Sequence, residues 1–241
     1  MHKFLVKYQF KAPYVFIIFL LCSFINLLGE GLHHSSLVLI SKPLLLLLLL
    51  IFFIKNTSQS KNKSAAYWVI IALAASNIGD VLLLFAGRVS ANEQLFLAGL
   101  GAFLMTHIAY TFAFHKITPS REFRFPLIII LSMLFFWIGF NYVFSAVLTG
   151  FLQAAVGIYS FVILIMVYFS WRMDKEIKSI ATQWIMWGAL LFLLSDTFVG
   201  LNKFGQDLIT IPAVGVLIMS TYLAGQALIT LGVIRIINGN K

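Results

Sequence analysis

Two carboxyl groups stand where so apolar a chain has little reason to put them. Asp80 sits in ASNIGDVLLLF and Asp196 in LLSDTFVG. Lys42 and His107 lie in other apolar runs, with Ser76, Asn77, Tyr110, Tyr159, Ser195, Tyr222 and Gln226 as uncharged company. A charge within a membrane-spanning helix costs about 2.5–3.5 kcal/mol on insertion scales, so each ionisable residue needs a partner or a task. One lysine does not neutralise two aspartates, which leaves at least one of them to hold a proton or to serve function. Groups held in this way do proton chemistry, either in an enzyme or in a proton-coupled carrier.

Helical spacing gathers these residues. Ser76, Asn77 and Asp80 are related by steps of three and four and form one stripe; His107 and Tyr110 form another, Tyr222 and Gln226 a third. Such stripes should converge on the interior of a bundle. Each residue also has a purely structural role open to it. Lys42 can pair with one aspartate and hold two helices together, Asn77 and Gln226 can bond between helices, and the tyrosines can pack. His107 has no second His, Cys or carboxylate at ligand spacing, so no metal site is expected. His33 and His34 fall in a short external loop. The chain has no G-x-S-x-G, phosphate-cradling glycine loop or H-E-x-x-H. Ser195 beside Asp196 is not placed to be its nucleophile, because neighbouring helical residues diverge by about 100°.

The elements that carry these residues follow from composition. Hydrophobic residues make up 61% of the 241 and charged ones only 10%. A soluble domain cannot hide that much apolar surface. The expected class is all-α, a polytopic membrane bundle of eight transmembrane helices. Their ranges are about 13–29, 35–54, 67–88, 95–115, 125–145, 150–171, 181–201 and 211–236. The runs are continuously apolar rather than alternating, which selects helices over a β-barrel. Almost nothing polar separates the fifth from the sixth. The basic N-terminal stretch followed by an apolar one looks like a signal peptide but lacks a small-x-small cleavage site, and is expected to be a retained first helix. The one cysteine, Cys22, allows no internal disulfide. No hydrophilic stretch is long enough for a soluble domain, so residues 1–241 are read as a single transmembrane domain.

Charge then orients the bundle. Of the 17 basic residues, 14 fall on one side: Lys3, Lys7, Lys11, Lys55, Lys61, Lys63, Lys116, Arg121, Arg124, Arg172, Lys175, Lys178, Arg235 and Lys241. Arg88 and Lys203 fall on the other. The positive-inside rule makes both termini cytoplasmic. The net charge of +9 is thereby topological, with no nucleic-acid partner implied. Asp80 then lies about 12 Å, Asp196 about 8 Å and Lys42 about 10 Å from the outer end of its helix. His107 is deeper. Three ionisable groups at one depth predict one cluster in the non-cytoplasmic half.

An offset comparison suggests two four-helix halves in parallel orientation. Asp80 and Asp196 occupy similar places in helices three and seven; thirty residues beyond them stand Tyr110 and Gln226.

Five short motifs, in order, resemble the lysoplasmalogenase-like membrane proteins, the YhhN family. They are Lys42-Pro43 before a leucine run, S-x-x-G-D-x-x-L from Ser76 to Leu83, and H-x-x-Y from His107 to Tyr110. Then come F-x-x-S-D from Phe192 to Asp196 and Y-x-x-x-Q-x-L-I from Tyr222 to Ile229. Asn77 departs from the pattern, which has an apolar residue there. The resemblance implies an eight-helix enzyme that hydrolyses the vinyl ether bond of lysoplasmenyl-ethanolamine or -choline, in the bilayer, with Asp80 and Asp196 catalytic. No metal or organic cofactor is implied.

On that reading one carboxyl protonates the alkenyl carbon, and the other steadies the oxocarbenium ion and activates water. A low-dielectric pocket can keep a donor protonated near neutrality. Asp80, with Asn77 and Lys42 near it, is expected to be the base-like carboxylate and Asp196 the acid. The remaining polar residues would bind or support, and Lys42 or Arg88 would meet the lipid phosphate. The alternative is a proton-coupled transporter of a small molecule or lipid, which should show Gly or Pro breaks midway through paired helices. Pro43 and Pro212 near helix starts disfavour it. Without targeting signals, a bacterial inner membrane is the expected location.

Overall fold

The computed structural model describes residues 10–89, 92–120, 127–144, 150–205 and 211–239. Lys3, Lys7, Arg121, Arg124 and Lys241, which enter the charge asymmetry, lie outside the described residues, as does the side chain of Arg88.

Among the described residues the chain forms eight α-helices: α1 (Pro13–Gly31), α2 (Ser35–Thr57), α3 (Lys63–Leu84), α4 (Glu93–Ile117), α5 (Leu127–Phe144), α6 (Gly150–Ile177), α7 (Ile180–Phe204) and α8 (Val214–Ile237). A π-helical turn, Phe85–Val89, continues α3. Seven of these segments are long and apolar enough to cross a bilayer. The shortest, α5, has 18 residues and no charge. Large apolar side chains lie exposed around the bundle, among them Leu21, Phe24, Tyr67, Phe135 and Trp187. A water-soluble monomer does not display so much apolar surface. The protein is an all-helical, multi-pass integral membrane protein.

The expected boundaries fall within a few residues of the observed ones, and the larger differences share one cause. α3 begins at Lys63 rather than near 67, because Asn62 caps it by accepting from the Ala65 amide at 3.1 Å. α6 runs on through Trp171–Ile177, where the polar stretch Arg172–Glu176 continues the helix and Glu176 takes a 3.1 Å bond from Arg172 one turn back. Hydropathy marks the bilayer, whereas caps and charges mark the helix. α5 and α6 are separate, and α6 starts at Gly150 with φ at +61°.

One further expectation changes. Pro43 is not near a helix start but in the interior of α2, which runs unbroken past it. With no N–H at Pro43, the Leu39 carbonyl loses its helical donor, and neighbouring helices must hold the turn. His34 is exposed, and its Nδ1 accepts from the Leu37 amide and caps α2.

The helices close a ring. α1 packs on α2, α2 on α3, α3 on α4, α4 on α6, α6 on α7 and α7 on α8, while α8 returns against α1 and α2. α5 leans on the outside of α6. α3–α4 and α7–α8 are the two most extensive pairings, and each is closed by glycine. A Cβ at Gly79 would stand 2.7 Å from the Phe103 ring, and one at Gly188 would stand 2.7 Å from the Gly225 carbonyl oxygen. In lipid, such close approach replaces the hydrophobic effect as the force between helices. Each helix that carries an aspartate is therefore one partner in one of the two closest pairings.

Candidate active site

Five helices send polar side chains to one place. Lys42 comes from α2, Asp80 from α3, Tyr159 from α6, Ser195 and Asp196 from α7, and Tyr222 from α8. They line a cavity of about 90 Å³ whose other walls are apolar, with Leu83, Phe103, Val156 and Met219 among them. The expected convergence of Lys42, Asp80 and Asp196 is thus realised. Asp80 is 3% exposed, while 15% of the Asp196 side chain is open. Lys42 acts electrostatically on Asp80, and the two aspartates act on each other.

Each carboxyl has its own tyrosine. The Tyr222 hydroxyl donates to Asp80 Oδ2 at 2.8 Å. The Tyr159 hydroxyl donates to Asp196 Oδ2 at 2.6 Å. His107 Nε2 lies 3.1 Å from that same Asp196 oxygen and 2.9 Å from the Tyr159 oxygen. With the Tyr159 proton given to Asp196, Nε2 faces only oxygen lone pairs and must carry a hydrogen itself. The other ring nitrogen, Nδ1, rests 3.4 Å from Met166 Sδ. His107 is fully buried, so the tautomer is set by these neighbours and not by water.

A turn deeper lies a second buried network. The Tyr110 hydroxyl donates to Gln226 Oε1 at 2.6 Å, and Gln226 Nε2 donates to Ser76 Oγ at 2.9 Å. Ser76 Oγ meets Thr106 Oγ1 at 3.1 Å. This chain joins α3, α4 and α8 beneath Asp80. Thr106 has no place in the sequence expectation, although its four-residue step to Tyr110 was there to be read. Phe103, Val156 and Met219 are apolar and give no such signal.

Other expected site residues play different parts. Ser195 lines the cavity, but its hydroxyl donates to the Ile218 carbonyl at 3.0 Å and ties α7 to α8. Asn77 does not line the cavity, and its Oδ1 is buried without a hydrogen-bond partner. The support for Asp80 comes from Tyr222 in its place. The Arg88 side chain is outside the described residues. No group of three His, Cys, Asp or Glu gathers as metal ligands among the described residues.

The rings around the site interlock. Phe192 meets His107 at 4.8 Å and Tyr222 at 5.3 Å between centroids, and Phe103 meets Tyr222 at 5.9 Å. These edge-to-face contacts fix the polar tips of His107 and Tyr222 by packing the bodies of their rings. A separate groove of about 840 Å³ lies at the opposite end of the bundle, lined by Lys11, Lys61 and Lys116 and far from both aspartates.

The chain is similar in sequence to known proteins. The chain matches the YhhN family over residues 37–233. It is 31% identical over 175 residues to lysoplasmalogenase TMEM86A of Bos taurus, covering 69% of this chain and 65% of that protein. It is 32% identical over 162 residues to lysoplasmalogenase TMEM86B of Sus scrofa, covering 67% and 61%. The human TMEM86B lysoplasmalogenase is 30% identical over 164 residues, covering 68% and 62%. The chain therefore spans somewhat less than two thirds of these relatives' length. No solved structure matches it. All of the site's polar residues fall within the matched region, and this chain belongs to the YhhN family.

Proposed function

We propose that this protein is a lysoplasmalogenase, which hydrolyses the vinyl ether bond of lysoplasmenyl-ethanolamine or -choline within the membrane. The observation that carries the reading is the pair Asp80 and Asp196, each held by a tyrosine, facing one small cavity together with Lys42. The names of the relatives supply the substrate class. The cavity's volume suits an alkenyl ether and a water and is far too small for a whole lipid.

The hydrogen bonds favour the opposite assignment of roles to the one expected from sequence. Asp196 Oδ2 faces two donors, Tyr159 and His107, which is the surrounding of a carboxylate. Asp80 is the more deeply buried and has one donor, Tyr222. Lys42 is free to be taken by the lipid phosphate once substrate is bound. Asp80 then gives its proton to the alkenyl carbon distal to the ether oxygen, and the adjoining carbon becomes an oxocarbenium centre. Asp196 steadies that cation and takes a proton from the water that attacks it. The hemiacetal breaks its carbon–oxygen bond to the glycerol; the glycerol oxygen receives a proton, and the hemiacetal hydroxyl loses one as it becomes the aldehyde. Both carboxyls regain their starting states, and one water is consumed. The aromatic rings of Phe103 and Tyr222 line the cavity in which the transient cation forms.

A carrier is the weaker reading, because α3 and α7 run unbroken through their aspartates. The location that fits is a bacterial inner membrane with both termini cytoplasmic. The test is release of free aldehyde from lysoplasmenyl-ethanolamine by purified protein in detergent, beside Asp80→Asn and Asp196→Asn. The wild type should release aldehyde and both variants should lose activity. A well-folded wild type that releases none overturns the function, and full activity in both variants overturns the mechanism.

A further inference from the structure

The carboxyl cavity holds about 90 Å³, whereas pockets for lipid-sized ligands run from about 300 to 1,000 Å³. The rest of the substrate must lie elsewhere. A second cleft, of about 440 Å³, opens between α5, α6 and α7 and shares two residues with the cavity, Tyr159 and Asp196. The remaining walls include Phe135, Trp137, Leu164 and Leu193.

This cleft presents hydrocarbon almost everywhere, because its polar atoms are turned inward. Trp137 Nε1 donates to the Gly157 carbonyl at 2.6 Å, Ser160 Oγ donates to the same oxygen at 2.9 Å, and Thr197 Oγ1 donates to the Leu193 carbonyl at 2.8 Å. Only the Tyr159–Asp196 pair brings polarity to its inner end. A carboxylate bordering a lipid-facing cleft is costly and calls for a task there. On the α5 side, Gly139 leaves the cleft open, with nothing within 4 Å of the position its Cβ would take.

Resting on the proposed activity, we infer that the α5–α6–α7 cleft seats the alkenyl chain of the substrate and releases the fatty aldehyde to the bilayer, with Tyr159 as the partition between chain and reacting carbons. The carbon that accepts the proton is continuous with the hydrocarbon chain, and the apolar cleft that adjoins the carboxyl cavity at Tyr159 and Asp196 gives that chain a way out. The phosphate stays on the other side of the reacting bond, near Lys42. α5 leans on α6 at the outside of the ring, so the cleft can exchange lipid without opening the ring itself.

Two measurements test this. The first compares kcat/KM for hexadecenyl and hexenyl lysoplasmalogens in wild type, Gly139→Phe and Gly101→Phe. Gly101 is on α4, outside the cleft, and also has nothing within 4 Å of its Cβ position. The long-to-short ratio should fall about tenfold or more in Gly139→Phe and stay unchanged in Gly101→Phe. The second photolabels the wild type with a lysophospholipid carrying a diazirine on its chain. Label should enter peptides of α5, α6 and α7 that line the cleft, and unlabelled lysoplasmalogen should compete it away. An unchanged ratio in a folded Gly139→Phe, or label elsewhere or not competed, overturns the inference. If the wild type releases no aldehyde yet shows competed label in the cleft, the activity is refuted and the chain seat stands. If Gly139→Phe does not fold, the labelling decides alone.

Discussion

The Tyr159 hydroxyl donates to Asp196 Oδ2 at 2.6 Å, the shorter of the two tyrosine–aspartate bonds in the site. It joins α6 to α7 where the carboxyl cavity meets the lipid-facing cleft. Tyr159→Phe keeps the ring and removes only the donor. A hydrogen bond to a charged group contributes about 1.5–3 kcal/mol, so kcat should fall about 10- to 100-fold. Steady-state assay of aldehyde release reads this directly. A KM change with kcat intact would place Tyr159 in substrate binding alone.

His107 approaches the same oxygen at 3.1 Å, and its N–H is the second donor to Asp196. His107→Gln can still present an N–H from a shorter side chain, whereas His107→Phe cannot. The Gln variant should retain more of kcat than the Phe variant, with both folded by thermal shift in detergent. Equal loss in both would mean that the imidazole acts by shape, through its packing on Phe192.

Much of this site is legible from residue types and spacing, for a physical reason. Lipid makes every ionisable or polar side chain conspicuous, so Asp80, Asp196, Lys42 and His107 stand out against their apolar runs. Helical periodicity then puts Ser76 and Asp80, or Tyr222 and Gln226, on common faces. Partners are harder to read. Nothing in the spacing says that Tyr222 rather than Asn77 serves Asp80, because that depends on which helices are neighbours. The offset that relates Asp80 to Asp196 also relates Tyr110 to Gln226, and those two bond to each other. Apolar walls such as Val156 and Met219 leave no trace against an apolar background.

Lys42 should matter through phosphate. It lines the carboxyl cavity from α2 and does not line the cleft between α5, α6 and α7. Lys42→Met should raise KM for lysoplasmenyl-ethanolamine about tenfold or more, in keeping with a charge-assisted bond of about 1.5–3 kcal/mol. A phosphate-free alkenylglycerol should show a much smaller change. Equal effects on both substrates would assign Lys42 to Asp80 instead.

The Gln226 network should contribute stability more than rate. Gln226 bonds Tyr110 and Ser76 at 2.6 and 2.9 Å, all three fully buried. Gln226→Leu removes both bonds and leaves the Tyr110 hydroxyl without its acceptor. Interhelical bonds in membranes average about 0.6 kcal/mol, and an orphaned buried group adds about 1–3 kcal/mol. Unfolding in mixed micelles should therefore show a loss of roughly 2–4 kcal/mol. KM should be little altered, since Gln226 does not line the cavity.

Glycine packing between α7 and α8 should control the site from a distance. A Cβ on Gly188 would meet the Gly225 carbonyl oxygen at 2.7 Å and the Ile229 amide nitrogen at 3.0 Å. Both are backbone atoms, so no side chain can turn aside and the helices must move apart. Asp196 is two turns further along α7, and Tyr222 lies one turn before Gly225 on α8. Separating the pair therefore displaces a carboxyl and the donor of the other carboxyl together. Gly188→Ala should lower both the unfolding temperature and kcat, whereas Gly101→Ala, at an open position, should change neither. A Gly188→Ala protein with wild-type stability and rate would show that the α7–α8 contact relaxes without moving the aspartate.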